Sequence, residues 1–376
     1  MSNWQETLAG NITEAGELKD IMNLNDEDAA KLTAIADRYP LLIPKYYLGL
    51  INWDDPDDPI KRLCIPSLEE TDMSGSFDTS GEESNTKLKG LQHKYGQTAL
   101  ILSTSKCAMY CRFCFRKRLV GQEAEAESTG SFADVDAQYE YVKAHPEINN
   151  ILISGGDSYI NGNDMIEYYL KKFTTVDSLK FIRFGTRVPV VFPMRIYEDP
   201  NLLDILEEYG QKKQIVVITH FNHSNEITPE STRAVKELMK RGVVVRNQTV
   251  FLRGVNDDPE ALGNLLNDLT GIGIMPYYVF QCRPVTGVKA QFQVPFMRGI
   301  PIIDEAKSMM SGPAKGFRYA MSHPRGKIEI LGKVSEDEVL FKFHQNKYPE
   351  DSARIFTVKM GENDAWLSDD LTHGEE

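Results

Sequence analysis

Long apolar runs are missing from this chain of 376 residues: no stretch approaches the 18 or so consecutive apolar residues that a membrane span needs. The first residues, Met-Ser-Asn-Trp-Gln-Glu, lack the basic-then-apolar character of a secretory leader. Net positive charge is missing too. The formal balance is −13, which argues against a broad nucleic-acid-binding surface. Cysteine is scarce, with five residues in all. Three of these crowd together while Cys64 and Cys282 stand alone, a reduced pattern rather than a disulfide framework. These absences leave a cytoplasmic α/β protein as the expectation, with 41% hydrophobic residues to build a sizeable core.

The crowded cysteines organise the rest. Cys107-Ala-Met-Tyr-Cys111-Arg-Phe113-Cys114 places three thiols within eight residues, directly after an apolar run at 99–102 that reads as a strand. Electron-transfer clusters are usually tied by four cysteines. Three thiolates hold three irons of a [4Fe–4S] cube and leave the fourth iron open to another ligand. A zinc knuckle would also use thiols, but zinc sites favour four ligands in paired spacings, and no second Cys/His pair lies nearby. Three incidental buried thiols are the remaining alternative.

Along the chain, residues 18–22 and 27–38 have helical periodicity, with Asn25 or Asp26 as the cap of the second helix. The Asp- and Pro-rich run 54–59 reads as a solvated turn, and as a hard-cation site only secondarily. Residues 67–85, rich in Ser, Gly and Glu, read as a surface loop. From residue 88 the texture changes to short β-rich runs alternating with amphipathic helices. The expected strands are 99–104, 150–154, 181–185, 215–219, 243–250 and 276–281, and the expected helices 132–144, 163–172, 200–209, 229–241 and 258–271. Six such units fit a partial (βα)6 TIM-type barrel, with an open doubly wound sheet as the alternative. Short strands at 318–321, 327–332, 338–344 and 354–360 form a β-rich appendage. The expected division is a helical extension and loop (1–87), a core (88–285), a C-terminal segment (286–360) and a solvated acidic tail (361–376).

Polar motifs recur at the C-terminal ends of the expected strands, where α/β folds build their sites. They are Gly155-Gly156-Asp157, Arg187 and Arg195 after the third strand, His220-Phe-Asn222-His223 after the fourth, and Gln248 within the fifth.

The C-x3-C-x2-C spacing with Phe113 before the last cysteine resembles the cluster loop of radical S-adenosylmethionine (SAM) enzymes. A closer resemblance lies in HKYGQTALILSTSKCAMYCRFCFRKRLVG, RFGTRVPVVFPMRI, THFNHSNE, RNQTVFLRGVND and MPYYVFQC, with DPDDPIKRL upstream. In order and spacing, these resemble the lysine 2,3-aminomutase family over roughly residues 40–345. The resemblance implies a radical SAM isomerase that moves an α-amino group to the β-carbon of an amino acid carried on pyridoxal 5′-phosphate (PLP). It implies Cys107, Cys111 and Cys114 as ligands of the [4Fe–4S] cluster, and Phe113, Gly155, Gly156, Asp157, His220 and Gln248 as SAM-binding. Tyr95 and Lys327 fall on PLP-binding positions, Lys327 being the lysine that forms the Schiff base. Arg116 matches the arginine that pairs with the substrate carboxylate. A one-electron donor such as flavodoxin or ferredoxin and a homo-oligomer are further implications.

Three departures bear on the substrate. The family's PLP-phosphate arginine is Thr98 here, with Lys94, His323 and Arg325 as the cations available to compensate. The two aspartates that hold the ε-ammonium of lysine are replaced by Arg283 and Ala320. A cation at 283 repels a cationic side chain and suits a carboxylate, so the expected substrate is glutamate-like rather than free lysine. The Cys-rich C-terminal tail of the longer lysine enzymes is absent from this sequence. The alternatives are a radical SAM enzyme on the same scaffold that has lost PLP, a modifier of a protein lysyl side chain, and a cluster-bearing redox sensor.

Overall fold

The computed structural model describes residues 4–121 and 134–372. Twelve strands form one continuous sheet in sequence order. They are β1 (Thr86–Leu88), β2 (Leu91–Tyr95), β3 (Thr98–Thr104), β4 (Asn150–Gly155), β5 (Phe181–Gly185), β6 (Gln214–Thr219), β7 (Val244–Phe251), β8 (Met275–Gln281), β9 (Arg318–His323), β10 (Gly326–Lys333), β11 (Glu338–Asn346) and β12 (Ile355–Lys359). Neighbours from β3 to β9 pair in parallel, while β1–β3 and β9–β12 pair antiparallel.

The parallel strands are covered on one face by helices that pack Ile166, Tyr169, Leu170 and Phe173, then Leu202 and Leu206, then Leu262, Leu265 and Leu269 into the core. Each crossover helix starts on a local signal. Asp134, Asp199, Thr228 and Asp258 accept hydrogen bonds from the first-turn backbone, and the last three are followed by Pro at the first helical position. The six expected strands and four of the five expected helices lie within two residues of the observed ones. The fifth helix is observed as Val135–Ala144, and the start expected at 132 lies outside the described residues.

The α/β partial barrel therefore stands, with its parallel stretch one strand longer than expected. The helix Phe296–Met309 provides a further crossover, and β9 joins β8 in parallel with Tyr278 opposite Arg318 and Phe280 opposite Ala320. The β-rich appendage begins only at β10.

Two other expectations change. The segment 67–85 is not simply a surface loop: it contributes the buried carboxylates Glu70 and Glu82. Residues 361–372 are not a free acidic tail. Gln281 Nε2 donates to the Ala365 carbonyl (2.9 Å), Phe296 N to Asp364 O (2.8 Å), and Ala365, Leu367 and Leu371 are buried. Among the acidic residues 54–58, Asp58 caps the helix Pro59–Cys64 by accepting from Lys61 N at 2.7 Å, which is structural use of that carboxylate. Asn25 caps the helix Asp26–Arg38.

Candidate active site

The cysteine loop leaves the C-terminal end of β3 and turns on a Cys114 N–H···O Cys111 bond of 3.1 Å. All three thiols keep part of their surface, and all are free. Burial pushes each thiol up, Cys114 to about 11. Among the described residues, no three His, Cys, Asp or Glu side chains converge on a point where one ion would sit.

The loop is anchored by the glycine motif. Gly155 has φ +121, and a Cβ there would collide with the Thr104 backbone. A Cβ on Gly156 would collide with the Lys106 carbonyl. Their absence lets Gly156 N donate to Thr104 O (2.5 Å) and Asp157 N to Lys106 O (2.8 Å), which bolts the end of β4 to the root of the cysteine loop. The Asp157 carboxylate is buried and already engaged, accepting from Thr186 Oγ1 (2.6 Å), Arg187 N (2.7 Å) and Tyr159 N (3.0 Å). Its geometry is that of a residue that positions the strand ends.

Arg187, which the sequence placed among the strand-end polar groups without a role, sits at the centre of this side of the site. Its Nη1 donates to Cys111 Sγ at 2.8 Å, its Nε to the His220 carbonyl at 3.1 Å, and its Nη2 to Tyr47 Oη at 3.1 Å and to Glu226 Oε1. Glu226 is fully buried and also accepts from Tyr47 and from the backbone of Asn222 and His223. A guanidinium thus rests against a cysteine sulfur with its own counter-ion behind it. The signal available in the sequence was an arginine directly past a strand end, beside Pro189. His220 stands edge-on to Phe113, with ring centroids 5.5 Å apart. Its Nε2 is buried without a partner, and burial, aided by Arg187, lowers its pKa to about 3, so it is neutral at pH 7. Gln248 lies on β7 opposite Tyr278 of β8.

On the other side of the loop, Arg116 and Arg283 both lie over the Phe115 ring, at 4.5 and 4.1 Å from its centroid. Arg116 Nε donates to Glu82 Oε1 at 2.8 Å, and Arg118 Nη2 to Glu82 Oε2 at 3.1 Å. Glu82 is the residue missed, because a Ser- and Glu-rich stretch gave no hint of burial. Arg283 has a buried Nη1 with no partner, and burial lowers its pKa to about 10.

Lys327 follows the tight turn between β9 and β10, and Gly326 before it approaches the β11 backbone closely. Its ammonium lies 4.2 Å from the Tyr278 ring centroid and 5.4 Å from that of Phe280. The side chain retains some accessible surface, while protein surrounds its amine densely. Burial first, then Arg183, Lys94, Arg283 and Arg318, lower its pKa to about 7. Tyr95 is buried nearby, with Arg283 and Tyr278 as electrostatic neighbours.

The cations expected to compensate for Thr98 are engaged elsewhere. Arg325 pairs with Asp351 at 2.9 Å, His323 Nε2 meets the Ser368 carbonyl at 3.1 Å, and Lys94 donates to the His323 carbonyl at 2.6 Å.

No family model matches the sequence. Curated relatives do. An L-lysine 2,3-aminomutase from Acetoanaerobium sticklandii is 36% identical over 313 residues, covering 83% of this chain and 73% of its own. A glutamate 2,3-aminomutase from Clostridioides difficile is 32% identical over 326 residues, covering 86% and 75%. A relative from Aquifex aeolicus is 39% identical over 355 residues, covering 94% and 93%. A solved radical SAM methyltransferase from Sphaerobacter thermophilus overlaps 61% of this chain and 68% of its own, with 15% identity and a TM-score of 0.39, a likeness too slight to carry weight. With a cysteine loop, a glycine brace and a buried strand lysine in one barrel, and relatives this similar over most of their length, the chain belongs to the lysine 2,3-aminomutase family.

Proposed function

We propose that this protein is a radical SAM, PLP-dependent 2,3-aminomutase whose substrate is a dicarboxylic amino acid of the glutamate type. The observation that carries the proposal is Lys327, an amine held inside the barrel over Tyr278, with its pKa lowered to about 7 and cations as its charged neighbours. A lysine that loses its proton near neutrality is a nucleophile suited to carry a carbonyl cofactor. When bound, the [4Fe–4S] cluster with SAM supplies a hydrogen-abstracting radical, and PLP supplies a conjugated ring for the migrating nitrogen.

The chain's own residues supply position and charge. Cys107, Cys111 and Cys114 would hold the cluster, with Arg187 donating to the Cys111 sulfur. Gly155 and Gly156 brace the loop that would carry it, and neutral His220, edge-on to Phe113, and Gln248 on β7 are the polar groups assigned to SAM. Arg116 and Arg283 both lie over the Phe115 ring; Arg283 offers an idle N–H to one substrate carboxylate, and Arg116 would meet the other through the part of its guanidinium that Glu82 does not hold. The unpartnered Nη1 of Arg283 favours an anionic side chain and opposes the ammonium of lysine, whether free or on a protein.

One experiment tests the cofactor half of this proposal. Protein incubated anaerobically with PLP, reduced with borohydride and mapped by peptide mass spectrometry is expected to carry the label on Lys327. Label spread over surface lysines, with SAM still cleaved by the reconstituted protein, favours instead the enzyme that has lost PLP, which Thr98 supports.

A further inference from the structure

The surroundings of Lys327 contain more positive charge than nearby carboxylates neutralise. Lys94, Arg183, Arg283 and Arg318 are the charged groups acting on the Lys327 amine. Of these, Arg283 has Glu82 in reach, and Arg318 lies 3.6 Å from Glu329. Arg183 has no carboxylate partner among the described residues. Its Nη2 donates to Asn150 Oδ1 at 2.5 Å, and its Nε is buried with no hydrogen-bond partner among the described residues. Burial lowers its pKa, and its charged-state neighbours are the phenols Tyr277 and Tyr278.

The arginine is also aimed. Asn150 is held on the neighbouring strand by Thr98, with Thr98 Oγ1 3.3 Å from Asn150 Oδ1 and Asn150 Nδ2 3.1 Å from Thr98 Oγ1. A second Asn150 Nδ2 bond reaches the Gln97 carbonyl at 3.0 Å. The chain Thr98–Asn150–Arg183 thus runs across the first residues of β3 and β4 to the middle of β5, along one face of the sheet. Tyr278 links that face to the lysine: it is a neighbour of Arg183, and its ring lies under the Lys327 ammonium. A buried guanidinium with an idle N–H is costly unless an anion completes it, and a fork of donors fits phosphate oxygens.

We propose that Arg183, oriented by Asn150, is the residue that binds the phosphate of the pyridoxal cofactor in this chain, a task that position 98 leaves undone because it is threonine. Arg183 offers a cation on β5, two strands along the sheet from position 98 on β3, and the asparagine on β4 between them fixes its direction. This inference rests on the PLP reading of Lys327, but it concerns the anion site, which can be measured without turnover. Asn150 is a positioning residue and Arg183 a binding one.

The test compares pyridoxal 5′-phosphate with pyridoxal, which lacks the phosphate, as ligands of the wild type, Arg183→Gln, Arg183→Lys and Asn150→Ala, read by the absorbance of the lysine adduct and by thermal shift in inorganic phosphate. Removing one partner of a buried charge pair costs a few kcal/mol, so Arg183→Gln is expected to weaken pyridoxal 5′-phosphate binding by roughly 30-fold or more. Pyridoxal binding should be little changed, the wild type's stabilisation by phosphate should vanish, and Arg183→Lys should recover part of it. Asn150→Ala should shift the phosphate preference in the same direction by a smaller factor. An Arg183→Gln protein that folds and keeps the wild-type preference for the phosphorylated cofactor overturns the assignment and leaves the aminomutase reading intact. A wild type that forms no adduct with either aldehyde, yet is stabilised by phosphate through Arg183, overturns the aminomutase reading and keeps the anion site. A wild type with neither response overturns both.

Discussion

The side chains that decide this site are charged groups placed where water is scarce, and their partners explain what each can do. Arg187 is neutralised from behind by Glu226 while touching a cysteine sulfur in front. Arg112 and Lys117 share Glu70, and Arg116 and Arg118 share Glu82, so the basic residues in and just after the cysteine loop fold inward onto two carboxylates from the segment 67–85. Lys327 and Lys94 have no such neutralisation, and burial lowers both to about 7. Because their pKa values in the folded chain lie below those in the unfolded chain, the unfolded state binds more protons between pH 7 and about 10.4, and stability rises with pH over that window. Chemical denaturation of the cofactor-free protein should therefore show the wild type gaining stability relative to Lys327→Met from pH 7 to 10, whatever the buried thiols contribute to both. The variant should also be the more stable protein at pH 7. Parallel pH profiles for the two would place the Lys327 amine in water.

Such groups were only partly legible in the sequence. The cysteines, Lys327 and Arg283 stand out by spacing or by departure from a family pattern. Glu82 and Arg183 do not, because a glutamate in a polar loop and an arginine in a strand each read as solvated until a partner 34 or 33 residues away is known.

Among the elements, the brace between β4 and the cysteine loop is the part most sensitive to one atom. Gly156→Ala places a methyl group against the Lys106 carbonyl, where the obstacle is backbone and cannot swing away. Overpacking of this kind is expected to cost about 2 kcal/mol or more, with iron incorporation after anaerobic reconstitution falling in parallel. Gly16→Ala serves as the contrast. It lies in the exposed helix Ala15–Met22 with nothing within 4 Å of the new methyl, and helix propensity predicts a gain of roughly 0.5–1 kcal/mol. Equal effects of the two substitutions on iron content would remove the brace from the picture. The strands and crossover helices themselves were readable because strands buried on both faces write themselves as apolar runs and because Asp-Pro and Thr-Pro pairs mark helix starts. The seventh parallel strand was not. β9 follows a long stretch, 282–317, whose crossover helix contains Pro301, so the βα rhythm is hard to hear there.

At the scale of the whole molecule, the sheet divides the work. Its parallel part, β3 to β9, sets the cysteine loop and the arginines at one end of the barrel. The antiparallel strands β10 to β12 bring Lys327 back against β8 and β9 from the far side. Residues 361–372 then lie over the outside of that junction through Gln281 and His323, a packing role that their acidic composition concealed. No helix among the described residues is long and apolar enough to cross a membrane. The charged groups that act on Lys327 are cations, and this is what sets the expected substrate apart from lysine.

The most direct measurement is anaerobic incubation of the reconstituted protein with SAM, PLP and dithionite against a panel of amino acids, with products identified by mass spectrometry. A 2,3-aminomutase with two arginines facing its substrate should convert glutamate to β-glutamate and leave lysine largely unchanged. Formation of 5′-deoxyadenosine with no β-amino acid from any member of the panel, or conversion of lysine in preference to glutamate, would contradict it.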